Sequence, residues 1–215
     1  MTTDFDTNVF INCPFDKAFI PLLRPIIFTV IYLGYNPRIA SERFDSGEAR
    51  INKIPELIEA SRLSIHDISR MKSTRKAEYF RLNLAFELGI DIGCRLFKGG
   101  QAKDKRCLIL ETNKYEYQKA LSDLSNSDIK AHNNEPEEVI HHVRDWFVNN
   151  EIPTADNPAL IWDNYNEFMT DFDIKRKEEG WKQKDLEEMP IPEFIHFVRG
   201  FLQQLRRRPR RSRRA

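Results

Sequence analysis

The sequence is short of the features that would take it outside ordinary globular chains. Its 215 residues include 3 cysteines, Cys13, Cys94 and Cys107, with no Cys-x-x-Cys pair and no histidine at zinc spacing. That odd set argues against disulfides and a structural metal, and reads as reduced, mostly buried thiols. Glycine and proline number 8 and 11, too few for a collagenous or low-complexity chain. The longest apolar run, residues 19–33, is broken by Pro21, Arg24 and Pro25 and falls short of the roughly 20 residues a membrane helix needs. Residues 1–6 hold two aspartates and no lysine or arginine, so no secretory or transit peptide is expected and the cytoplasm is the default location. Gly-x-Gly-x-x-Gly and Gly-Lys-Ser/Thr motifs are both missing, which removes the usual support for hydride-transfer enzymes and ATPases.

What is present suits one domain with a real core and an extension: 40% of residues are hydrophobic and 31% charged. The net charge of +1 is uneven, because seven arginines fall within residues 206–214; without them residues 1–205 stand at −6. An acidic body is a poor general nucleic-acid binder, whereas an arginine tail can grip phosphates or an acidic partner without folding. The alternative for the tail is a disordered terminus with no specific function.

Along the chain, the apolar residues 8–12 stop at Cys13-Pro14, and Asp16 is placed to cap the apolar segment 19–33, which Gly34 ends. Residues 35–40 read as extended. Ile51, Ile54, Leu57 and Ile58 approximate a helical stripe ending near Ser61, and residues 63–68 form another strand candidate. A helix over about 79–93, the run 107–110, a weak edge strand at 128–131 and an amphipathic helix opened by Pro136 complete the pattern. Successive strand-then-helix units predict an α/β fold, a parallel sheet with helices on both faces. Beyond Asn150 only helices are expected, with aromatic stripes at Trp162, Tyr165, Met169 and Phe172 and from Phe194 to Leu205. The expected organisation is therefore a nucleotide-binding α/β domain over 1–150, a helical extension over 151–205 and a disordered tail over 206–215. The aromatic stripes either pack on the parent domain or form an assembly surface for a homo-oligomer or partner.

In such sheets ligands bind outside the carboxyl ends of the strands. The residues there are Asn12, Phe15 and Asp16 after the first strand; Arg38 and Arg50 around the second; and His66, Asp67 and Ser69 at the third. The most specific feature is Asn83-Leu84-Ala85-Phe86-Glu87-Leu88-Gly89 on the following helix. Asn83 and Glu87, four apart, lie one above the other, and the apolar neighbours Leu84, Phe86, Leu88 and Ile90 would desolvate the carboxylate, as in many catalytic acids. The other reading of Glu87 is an acidic residue on the solvated edge of a buried helix. Asp67 likewise either binds ligand or caps a loop. No Gly-x-Ser-x-Gly elbow accompanies His66, and the adjacent His141 and His142 diverge on their helix, which counts against a hydrolase triad and a shared metal.

Asp67-Ile68-Ser69 followed by Asn83-x-x-Phe86-Glu87-Leu88-Gly89 resembles the signature shared by nucleotide-directed TIR-like domains and nucleoside 2-deoxyribosyltransferases. Residues 8–12 resemble their first strand, and residues 47–61 the second helix of a TIR domain. The likeness covers roughly residues 8–150 at fold level and is motif-specific only from Asp67 to Gly89. The chain departs from animal TIR domains in lacking their Trp-Cys pair before the glutamate, and from many deoxyribosyltransferases in lacking their Gly-Thr-Ala run. The resemblance implies a flavodoxin-like or Rossmann-like fold and cleavage of a base–ribose bond, with Glu87 as the catalytic carboxylate. It further implies NAD or a related nucleotide as substrate rather than cofactor, with Asn83, Asp67 and Ser69 near ribose or phosphate. Bacterial defence or signalling, with assembly driven by a partner or small signal, goes with it. Arg38, Arg50 and Arg70 are pyrophosphate candidates because guanidinium forks match phosphate oxygens, the alternative for each being a surface charge. The competing readings are a nucleotide-binding sensor without turnover and a nucleic-acid-associated protein using the arginine tail.

Overall fold

The computed structural model describes residues 4–42, 47, 49–69, 82–125 and 127–208. After one helical turn, α1 (Asp4–Thr7), the first apolar run forms β1 (Asn8–Asn12), buried along its whole length. α2 (Ile20–Tyr32) follows, but Asp16 does not cap it. The cap position is Phe19, without a side-chain bond, and Asp16 lies too early; its backbone carbonyl instead accepts the Phe19 N–H at 2.9 Å. Gly34 ends the helix as expected: at φ 91° it lets the Tyr35 and Gly34 N–H groups reach back to the Val30 and Ile31 carbonyls, each at 3.0 Å.

The chain continues through β2 (Asn36–Ile39), α3 (Arg50–Glu59), β3 (Leu63–Asp67), α4 (Leu82–Phe97), β4 (Arg106–Glu111), β5 (Lys130–Ala131) and α5 (Pro136–Asn150). The expected start of α4 near residue 79 falls outside the described residues, and the helix passes Gly93 to reach Phe97. All strand pairs are parallel, in the order β2-β1-β3-β4-β5, which gives the doubly wound α/β fold read from the sequence. The connections from β1 and from β3 run in opposite directions across the sheet, so the crevice between the carboxyl ends of β1 and β3 is its topological switch point.

Three helices complete the chain: α6 (Pro158–Glu178), capped by Asn157 through a 2.9 Å bond from the Leu160 N–H, α7 (Gln183–Glu187) and α8 (Ile191–Arg207). They share one core with the sheet. Val9, Ile11, Leu63, Ile65, Leu108 and Leu110 face α2 and α5, and beyond those helices the same cluster continues into α6 and α8. α2 is consequently apolar on both of its packed faces, with Pro21 exposed and Arg24 half-buried at its start. Phe28 stands at its centre, with ring centroids 5.4 Å from Tyr165, 5.7 Å from Phe168 and 6.4 Å from Phe201.

The stripe considered as an assembly surface is thus largely turned inward: Tyr165, Phe168, Phe172, Phe194 and Phe201 are buried. The reason is the second apolar face of α2, which the sheet cannot cover. Phe28→Leu should lower stability by about 2 kcal/mol through lost ring contacts, read as a shift in the urea midpoint.

The first arginines of the expected disordered tail are also ordered. Arg206 and Arg207 continue α8, arginine being a good helix former, and Arg208 pairs with Glu167. Residues 209–215 lie outside the described residues. On the opposite face of the sheet, Phe10, Ile54, Leu57 and Ile58 form one small cluster and Ile68, Leu88, Ile109 and Tyr117 another. Ile51, expected in the first of these, is exposed. Among the described residues no helix is long and apolar enough to cross a membrane.

Candidate functional site

Between those two clusters runs a strip of buried polar side chains. Strand alternation aims Asn12, Ser64 and His66 at α4 while Ile11 and Ile65 face the other way. Asn12, at the carboxyl end of β1, donates its amide to the Leu84 carbonyl at 3.0 Å and to His66 Nδ1 at 3.1 Å. His66 Nε2 lies 2.9 Å from Asp91 Oδ2. Since an amide nitrogen only donates and a carboxylate only accepts, these contacts fix the ring with its proton on Nε2. Asp91 also receives the Ser64 hydroxyl and pairs with the Lys105 ammonium at 3.0 Å, and Lys105 donates in turn to the Ile58 carbonyl at 2.7 Å and to that of Ser61. Burial alone would raise the Asp91 pKa; the hydrogen bond from His66, with the Lys105 charge and the Ser64 hydroxyl, outweighs it and holds the carboxyl down at about 2.

Glu87 lies in this strip. Leu84, Glu87, Leu88 and Asp91 are the buried residues of α4, and Glu87 is 3% exposed. Its helix is tied to the sheet at both neighbouring turns, through the Leu84 carbonyl on one side and Asp91 on the other. Glu87 therefore sits between these two ties on the face of α4 that packs on the sheet; of its expected apolar neighbours Leu84 and Leu88 are buried with it, while Phe86 is exposed and Ile90 half-buried. Asn83 differs: four residues of α-helix leave a 40° rotation, and at that angle Asn83 faces solvent. It does not share the buried position of Glu87.

The second constellation sits where β3 ends and the β5–α5 loop crosses it. Asp67 Oδ1 accepts the Ser69 N–H at 2.9 Å, and His132 Nε2 lies 3.0 Å from both Asp67 Oδ2 and Ser69 Oγ. All three residues are buried. Serine, histidine and aspartate are the residue types of an acyl-transfer triad, yet the arrangement is unable to act as one. Serine and aspartate meet the same ring nitrogen, while the Asn134 N–H occupies Nδ1 at 3.1 Å. The cluster is a brace: it locks the β3 turn to the loop in which Asn133 and Asn134 take left-handed conformations, at φ 52° and 61°. Asp67 thus does what a loop cap does, and its carboxylate is engaged on both oxygens.

The remaining sequence candidates are scattered. Arg38 turns its fork onto Glu42, with Nε 2.8 Å from Oε1, so its guanidinium is already matched to a carboxylate. Phe15 is exposed and Asp16 half-buried, both in the β1–α2 loop at the same sheet edge. Arg50 opens α3 with its side chain outside the described residues, and Arg70 lies outside them altogether. Sequence reasoning missed Asp91, Lys105 and His132 and gave His66 no role. Asp91 had a signal, since it follows Glu87 by four residues on the same stripe. In the same strip Asn12 Oδ1 is buried and has no hydrogen-bond partner among the described residues. The chain matches no family model, no curated protein and no solved structure.

Proposed function

We propose that this protein binds a nucleotide at the β1/β3 switch point and hydrolyses its base–ribose bond, with Glu87 facing C1′ of the ribose. The observation that carries the reading is the placement of Glu87: a buried carboxylate, fixed by the helix ties on either side of it, at the position where doubly wound sheets hold ligands. Asn12, bonded to α4 at the Leu84 carbonyl, adds a buried acceptor, Oδ1, of the kind that takes a ribose hydroxyl.

In NAD the nicotinamide is cationic and leaves with the electron pair of the C–N bond, needing no acid. The oxocarbenium-like centre at C1′ is stabilised by the Glu87 charge, water adds its oxygen there, and the water's proton is released. The products are nicotinamide, ADP-ribose and a proton. The resemblance adds a defence or signalling role with activation by self-association.

The test is to incubate concentrated full-length protein with NAD and a panel of nucleosides and nucleotides, separating free base by chromatography. Base release by the wild type supports the reading. Tight nucleotide binding without turnover at any protein concentration favours a sensor module. That second reading has its own support in the bracing of Arg38, Asp67, Ser69 and His132, which leaves few groups free for chemistry.

A further inference from the structure

We infer that the cleft at the amino-terminal edge of the sheet, opposite the switch point, binds a small polyphosphate-bearing ligand. The cleft measures about 770 Å³, within the range of small-molecule sites. It is bounded by the carboxyl end of α4, the turn at residues 100–104 and the start of β4, and five cations line it against two carboxylates, Asp6 and Asp104.

Two of the cations are committed to the fold. Lys105 is held by Asp91 and two carbonyls, and Arg62 by Glu151 and Asp6. Arg95 and Lys103 remain for a ligand, and Arg106 is only partly engaged. Arg95 and Lys103 are exposed and make no hydrogen bond or ion pair among the described residues, and Arg106 is half exposed, donating to the Asn150 carbonyl at 2.9 Å and lying 3.9 Å from Glu151.

Arg95 and Lys103, two cations brought to one cleft without partners, repel one another and gain from an external anion. The ligand class follows from what opposes binding. Asp6, Asp104 and the negative carboxyl end of α4 cancel much of the field, so a single negative charge gains little. A polyphosphate places several charges against three separate heads, and two of those heads are guanidinium forks that take phosphate oxygens in pairs. The body's charge of −6 disfavours a long nucleic acid and leaves a small molecule.

The experiment is calorimetric titration of the full chain with inorganic tripolyphosphate at physiological ionic strength, comparing wild type, Arg95→Ala/Lys103→Ala and Glu87→Gln. One saturable site is expected, weakened at least tenfold in the double variant and unchanged in Glu87→Gln, with identical circular dichroism in all three. Because no turnover is read, failure of the cleavage reading leaves this result untouched. Heat that does not saturate at millimolar tripolyphosphate, or binding that survives the double substitution, overturns the proposal.

Discussion

Replacing Glu87 with glutamine should reduce base release by about 10³-fold or more while circular dichroism and the urea midpoint stay close to wild type. Glutamine keeps the volume of the side chain, so the buried stripe of Leu84, Leu88 and Asp91 stays filled. What it removes is the negative charge that the proposed reaction sets against C1′. The ties that hold α4, from Asn12 to Leu84 and from His66 to Asp91, do not involve the substituted group and should keep substrate affinity nearly constant. The loss should therefore fall on kcat rather than KM. Full activity in Glu87→Gln would sink the assignment, and a change in affinity alone would make Glu87 a ligand-binding residue.

The largest effect on stability should come from Asp91→Ala, which is expected to cost about 3–5 kcal/mol because it leaves the Lys105 ammonium buried without its counter-charge. Lys105 is 3% exposed and would keep only its carbonyl partners. The same residue sets a pH dependence. Its folded carboxyl titrates at about 2 against an ordinary 3.8, so between those values the unfolded chain binds a proton that the native state refuses. The contribution is complete above about pH 4 and drains away as the pH falls toward 2, amounting to about 2 kcal/mol in all. Urea midpoints of wild type and Asp91→Asn taken at about pH 6, 4 and 3 should converge with acidification. Midpoints that stay parallel would show that Asp91 carries no such depressed pKa.

The elements that were legible in the sequence are those written locally. β1, α2 and the Gly34 stop follow from an apolar run with turn residues at its ends, and the parallel sheet follows from the repetition of strand and helix. The burial of Glu87 could be read from Leu84 and Leu88, since both flank it at helical spacing. Its partners lie elsewhere in the chain. His132 meets Asp67 across 65 residues, from just beyond a two-residue strand with no pattern of its own. Lys105 reads as part of a polar turn, and only the proximity of Asp91 gives it a reason to be buried. Arg38 shows the same limit: its fork is directed by Glu42, and a sequence does not say whether a guanidinium meets carboxylate or phosphate.

The layering around α2 also bears on how the molecule is made. Phe28 is synthesised early, and the rings that enclose it, Phe168 and Phe201, come from α6 and α8. A nascent chain that has already produced every strand still displays an aromatic wall with nothing against it. Contacts of such long sequence separation slow folding and lengthen the exposure of that wall. Capture by a chaperone, or aggregation in its absence, is the expected fate of fragments that stop after α5.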